Sequence, residues 1–307
     1  MKRRISAALL GVLVVGFALL LWIGHEPRYH GFSLSECLAA QKKIYSGQLT
    51  IPGWQDSRNA VREIGTNALP FLVRWICYER RPWRDKALTI FDKLPRTPVN
   101  KYLRPIIDGE RAKRNAEYAN LGFEILGPIA APAVPDLQRL AADNSLCESG
   151  LRAMQALVSI GKEGLPALTA IAIDPRATNR LQAISAIGRS GTNASVPMTM
   201  LLQLLKDPNA DVARAAATTL GNLRLWGESV IPALIESLDN PSYSVRQSAA
   251  YALSRFGPAA RTAVPALLNL LAVPDWSVRS VAAYALGEIA PDPDVLENVR
   301  PEAEIFK

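Results

Sequence analysis

The amino-acid sequence predicts an all-α chain, an α-solenoid of about seven stacked two-helix repeats behind one N-terminal transmembrane helix. Three observations predict it. An uncharged run, residues 5–24, follows Lys2, Arg3 and Arg4. Prolines then recur at positions 70, 105, 135, 166, 197, 232 and 265, at intervals of 30 to 35 residues. An alanine placed four residues before a large apolar residue recurs with nearly the same period. The composition, 49% hydrophobic and 21% charged over 307 residues, excludes a disordered or collagen-like chain. Three cysteines exclude a disulfide-stapled scaffold.

The first element is read as a membrane anchor. Twenty residues rise about 30 Å as a helix, the thickness of a bilayer's hydrocarbon core. Twelve of the residues from 5 to 24 are Leu, Ile, Val or Phe. At roughly −0.3 to −0.6 kcal/mol each near the bilayer centre, they favour insertion by about 4–7 kcal/mol. The three basic residues ahead of the run stay cytoplasmic by the positive-inside bias, which sends the rest of the chain across the membrane. A cleaved signal peptide has a shorter apolar region ending in a small-x-small site. This run is longer and ends Leu-Leu-Trp-Ile-Gly-His, so the uncleaved anchor is the favoured reading.

The repeats come next. Most of the recurring prolines follow an aliphatic residue and precede a short apolar run, as at Val264-Pro265. Proline fits the first helical turn, where its missing N–H has no partner to lose, so each one marks a helix start. A second helix follows each first. Residues 245–253 (VRQSAAYAL) and 278–286 (VRSVAAYAL) are copies offset by 33, and further copies begin at 212, 179, 149 and 115. Four positions after each start stands alanine: Ala119, Ala153, Ala183, Ala216, Ala249 and Ala282. Eight positions after it stands Phe123, Leu157, Ile187, Leu220, Leu253 or Leu286. These positions share one helical face, so Ala249 is expected at a helix–helix contact and Ala250, one residue on, to face outward.

The junctions are also legible. Asp143, Asp174, Asp207, Asp239 and Asp275 precede their second helices by three to six residues, where a carboxylate can accept free backbone N–H groups. Gly127, Gly161, Gly191 and Gly257 are expected to close second helices in a left-handed conformation. The pattern Val-Pro-x-Leu-x-x-Leu-Leu, then Asp, then Val-Arg-x-x-Ala-Ala-x-Ala-Leu-Gly, resembles bacterial HEAT repeats, including the subgroup named after phycocyanobilin lyases. The resemblance is closest over residues 231–257 and 264–290, and weakest over 34–45 and 57–65. It implies a right-handed superhelix whose second helices line a concave protein-binding face. Residues 26–38 also look like the juxtamembrane lead-in of anchored bacterial HEAT proteins.

These observations divide the chain into an anchor or signal sequence (1–24), a juxtamembrane linker (25–33), the solenoid (34–290) and an acidic C-terminal tail (291–307). On the second helices, Arg180, Arg246 and Arg279 share one offset and are expected to bond an Asp of the neighbouring repeat. Tyr251 and Tyr284 share another, in a residue type enriched at binding hot spots. With Arg255, these make Arg246, Tyr251, Arg255, Arg279 and Tyr284 the candidate protein-binding residues. Trp226 and Trp276, in turns, are expected to cover apolar seams between repeats.

The stretch from 74 to 114 holds twelve basic and five acidic residues, a candidate contact for anionic lipid headgroups. No Gly-x-Ser-x-Gly, phosphate-binding glycine loop, His-Glu-x-x-His or Cys-x-x-Cys occurs. Cys37, Cys77 and Cys147 fall in apolar helix patterns and read as buried thiols. The sequence therefore points to a non-enzymatic, single-pass scaffold in a bacterial inner membrane. Its solenoid lies on the periplasmic side and binds a protein partner, without cofactor, metal or nucleic acid. The alternative implied by the resemblance is a phycocyanobilin-lyase-like chromophore-binding protein.

Overall fold

The computed structural model describes residues 26–46, 57–78, 109–143, 147–190 and 198–290. The anchor run 5–24, the tail 291–307, Pro105, Pro197 and Gly191 lie outside the described residues. No helix among the described residues is long and apolar enough to cross a membrane.

The described residues begin with an element that the sequence pattern did not announce. The expected linker is a hairpin of β1 (Arg28–Tyr29) and β2 (Phe32–Ser33), paired antiparallel with Tyr29 opposite Phe32. His30 and Gly31 both take positive φ, 48° and 88°, as a two-residue mirror-image turn requires. The Leu34 N–H donates to the Pro27 carbonyl at 3.0 Å, and the Ser35 N–H to the Glu26 carboxylate at 3.0 Å. Ser33 and Glu36 then form a capping box at the start of the first helix.

Helices follow in contacting pairs: α1 (Leu34–Tyr45) with α2 (Ser57–Ile64), and α3 (Leu69–Ile76) with α4 (Glu110–Leu126). Next come α5 (Val134–Ala142) with α6 (Cys147–Ile160), and α7 (Leu165–Ile173) with α8 (Arg180–Arg189). The last three pairs are α9 (Met198–Leu204) with α10 (Ala210–Leu223), α11 (Gly227–Ser237) with α12 (Tyr243–Phe256), and α13 (Val264–Leu270) with α14 (Trp276–Ile289). The described residues thus hold seven pairs, in agreement with the repeat count expected. In the second pair residues 77–109 separate the two helices along the chain.

Proline marks the first turn at 70, 135, 166 and 265. Pro232 is the exception: α11 starts five residues earlier, at Gly227, and carries the proline inside it. Gly127, Gly161 and Gly257 have the expected positive φ. After α10 the same task falls to Arg224, with φ 51°. Asp275 caps α14 directly, accepting the Ser277 and Val278 amides at 2.9 and 3.1 Å. Asp174 and Asp207 instead fold the turn, accepting the N–H two residues on. Before α12 that acceptor is Asn240 rather than Asp239.

The second helices stack on one another from pair to pair, and their core is continuous. Each therefore buries two faces: one against its own first helix, one against the neighbouring second helices. The alanines at 119, 153, 183, 216, 249 and 282 are all buried, as expected. Ala250 is buried as well, with its counterparts Met154, Ile184, Ala217 and Ala283, so the expectation that it faces outward is wrong. Between α10 and α12 the approach is close: a Cβ on Gly221 would lie 2.6 Å from the Ala252 Cα. In the same register, a Cβ on Gly188 of α8 would lie 3.3 Å from the Thr219 side chain of α10.

Two tests follow from this packing. Gly221→Ala pushes a methyl into backbone and costs about 1–3 kcal/mol. Gly287→Ala, at the matching position of α14, meets no described atom within 4 Å. It should stabilise by about 0.5–1 kcal/mol, because alanine replaces glycine inside a helix. Thermal melts of the two single variants should therefore shift in opposite directions.

The second test concerns Asp275, whose carboxyl sits below its ordinary pKa because the Ser277 hydroxyl and the Val278 amide donate to it. A depressed native pKa gives stability that is present above the unfolded value and lost as pH falls through the native one. Asp275→Asn retains a neutral capping oxygen. The melting-temperature gap between wild type and Asp275→Asn should shrink on acidification through the Asp range.

Candidate protein-binding face

The outward positions of the second helices form rows across successive pairs. Six residues after the start of each copy stand Ser185 on α8, Thr218 on α10, Tyr251 on α12 and Tyr284 on α14. Four residues further on, one turn away, stand Arg189, Asn222, Arg255 and Glu288, all exposed.

Tyr251 and Tyr284 are each 42% exposed, and their rings stack with centroids 6.4 Å apart and planes 17° from parallel. Two large rings held together in solvent, with a polar atom at the tip of each, form the kind of amphipathic surface that interfaces use. Arg255 is exposed on the same helix as Tyr251. These three expected site residues do share the outward face.

Arg246 and Arg279 do not belong to it in the same sense. Arg246 Nη1 donates to the Asn240 and Pro241 carbonyls at 2.7 and 3.3 Å, and Arg279 Nη1 to the Val273 and Pro274 carbonyls at 3.0 and 2.8 Å. Each guanidinium thus binds carbonyls just past the end of its own first helix, where backbone acceptors lack helical partners. The expected ladder to a neighbouring aspartate occurs at Arg180, which pairs with Asp207 while its Nε donates to the Ala172 carbonyl at 2.9 Å. At Arg246 the aspartate of the next turn, Asp275, caps α14 instead, and Arg246 reaches it only through its field.

One contributor escaped the sequence pattern. Tyr243, at the start of α12, is 51% exposed and lies under the Arg246 guanidinium, 4.4 Å from ring centroid to Cζ. Trp276 holds the same position at the start of α14 and is also 51% exposed. Trp226 is partly buried against the core, as expected. The shared offset of Tyr243 and Trp276, two residues before each copy starts, is the signal that could have found them.

Of the basic stretch, residues 79–108 lie outside the described residues. Arg111 is exposed and reaches Glu26 at 3.4 Å, and Arg74 lies 5.9 Å from the Phe71 ring. Cys37 is buried, which raises its thiol pKa. Cys77 is exposed, contrary to expectation, because it terminates α3, and its thiol donates to the Val73 carbonyl at 3.3 Å. The Cys147 side chain lies outside what is described.

None of the curated proteins matches the chain. Among solved structures, an engineered protein is 24% identical with a TM-score of 0.30, the match covering 58% of this chain and 80% of that one. The karyopherin Kap121p is 16% identical with a TM-score of 0.48, covering 90% of this chain and 35% of its own. Residues 198–287, which span helices α9 to α14, match a family model described as HEAT repeats.

Proposed function

We propose that the protein is a non-enzymatic HEAT-repeat scaffold that binds another protein through the outward rows of its second helices. In this reading residues 5–24 anchor it in a membrane, the solenoid lies on the extracytoplasmic side, and the basic stretch from 74 to 114 rests against anionic headgroups. The observation that carries the binding role is the Tyr251–Tyr284 stack. The core of both helices is complete without these rings: Ala249, Leu253, Ala282 and Leu286 are buried beneath them. The preceding repeats carry the much smaller Ser185 and Thr218 at the same positions.

Interface tyrosines that act as hot spots cost about 2 kcal/mol or more on truncation, roughly thirtyfold in affinity. A Tyr251→Ala, Tyr284→Ala protein should therefore lose the partner recovered by crosslinking from native membranes, with its helical signal unchanged. Recovery at wild-type yield would remove this face as the site. The anchor is tested separately, by fusing a reporter that is active only outside the cytoplasm after Lys307. Activity is the expected result; a signal confined to a cytoplasm-specific reporter reverses the placement.

A further inference from the structure

The second-helix face is not uniform. Between α8 and α10 it opens into a groove of about 330 Å³. Ser185, Gly188 and Thr218 lie along it, with Arg189, Arg214 and Asn222 among the longer side chains that line it. The groove exists because small residues stand where the later repeats carry large ones. Ser185 and Thr218 occupy the row that Tyr251 and Tyr284 continue. Gly188 sets no side chain against Thr219, so the two helices meet closely at the base and leave the space above them open.

Its charge has one sign. Both ionisable residues lining it, Arg189 and Arg214, are arginines. Arg189 is exposed, and no ion pair to it occurs among the described residues. Arg214 touches Asp211 at 3.5 Å, a long contact made from one side only. Asp207, the other nearby carboxylate on this turn, is already committed to Arg180 in a largely buried pair. Two guanidiniums with the Ser185 hydroxyl and the Asn222 amide form a donor-rich trough, while the Thr218 hydroxyl already donates to the Arg214 carbonyl at 3.0 Å. Such donors bind carboxylates by charge-assisted hydrogen bonds, often through two parallel N–H···O contacts.

We propose that this groove receives an acidic segment of the protein partner, whose carboxylates bind Arg189 and Arg214 while its apolar continuation crosses the stacked rings of Tyr251 and Tyr284. The proposal rests on the protein-binding reading of this face and names the chemistry of the partner. Direction follows from the row: Ser185, Thr218, Tyr251 and Tyr284 run across four consecutive second helices, from a polar end to an aromatic one. The matching partner is acidic at one end and apolar at the other, and it lies across the helices.

The probe is a fluorescein-labelled peptide with a glutamate-rich half and a leucine- and proline-rich half, titrated against the full chain in detergent. Saturable binding that weakens with added salt is expected. Arg189→Gln with Arg214→Gln should weaken it by about tenfold or more, because a single charge-assisted hydrogen bond contributes about that factor. The same peptide with glutamine for glutamate should show a similar weakening on the wild-type protein. Both arginines are partly or fully exposed and outside the core, and an unchanged melting temperature for the double variant confirms that its fold is intact.

Equal binding of the glutamate and glutamine peptides, or equal affinity for wild type and the double arginine variant, overturns the groove assignment. If the tyrosine pair variant alone abolishes peptide binding, the face stands and the groove falls. If neither variant changes binding, or no binding occurs, the groove assignment falls and the crosslinking experiment decides the face by itself. Binding to phosphatidylserine vesicles that depends on both arginines, with no peptide binding, likewise overturns the proposal in favour of a lipid surface.

Discussion

The rest of the structure depends on how closely successive second helices approach. A two-helix repeat of this size cannot bury its apolar residues alone, so each must share its core with its neighbours. The contact that joins them leaves no room for side chains: Gly221 lies against the backbone of Ala252, and Gly188 against Thr219. Small residues at these sites let the second helices form a continuous layer, and a continuous layer aligns their outward positions into rows. The row of Ser185, Thr218, Tyr251 and Tyr284 lies over this layer. The layout of the outward face is thus a product of glycine and alanine in the seams.

Much of this was legible in the sequence, for a definite reason. The contact between a second helix and its own first helix is local, so it imprints a helical period on a short segment, and Ala249 and Leu253 could be placed from that period alone. The contact between one repeat and the next is not local. Ala250 is fully buried, although nothing within its own helix distinguishes it from a solvent-facing alanine. The expectation for Arg246 failed for a related reason. Arg180, Arg246 and Arg279 share an offset, but the bonds they form depend on where each turn leaves its carbonyls and its aspartate. Asp207 is within reach of Arg180, whereas Asp275 is taken up in capping α14. A shared position fixed the backbone environment, and the turn chosen by each repeat fixed the partner.

The candidate site was half legible. Tyr251 and Tyr284 were found because they repeat at a fixed spacing, and their stacking in solvent agrees with that reading. Tyr243 was missed because its counterpart is a tryptophan, so the repetition is of shape rather than letter. The groove between α8 and α10 was invisible for the opposite reason, since it is made by what Ser185, Gly188 and Thr218 lack. In a repeat protein packing forces the core to recur from copy to copy, while the surface is free to differ. Departures from the repeat on an outward row therefore carry more about recognition than the recurring pattern does.

The hairpin at the start of the described residues has a mechanical consequence. A slack linker would act as a leash, letting the solenoid tumble about its attachment and sample a wide arc of orientations. Glu26 is instead bonded to the backbone of α1 through Ser35 and to Arg111 on α4, and the tight turn at His30 and Gly31 leaves little torsional play between them. The segment behaves as a bracket. Chain entering at Glu26 is oriented by the first two helix pairs, so whatever holds that chain sets a heading for the whole stack. If the chain before Glu26 is the proposed anchor, a scaffold held through this segment would give up breadth of search and gain a lower entropic cost on meeting a partner. Tension applied at the mount would pass into α1 and α4 instead of being absorbed by uncoiling.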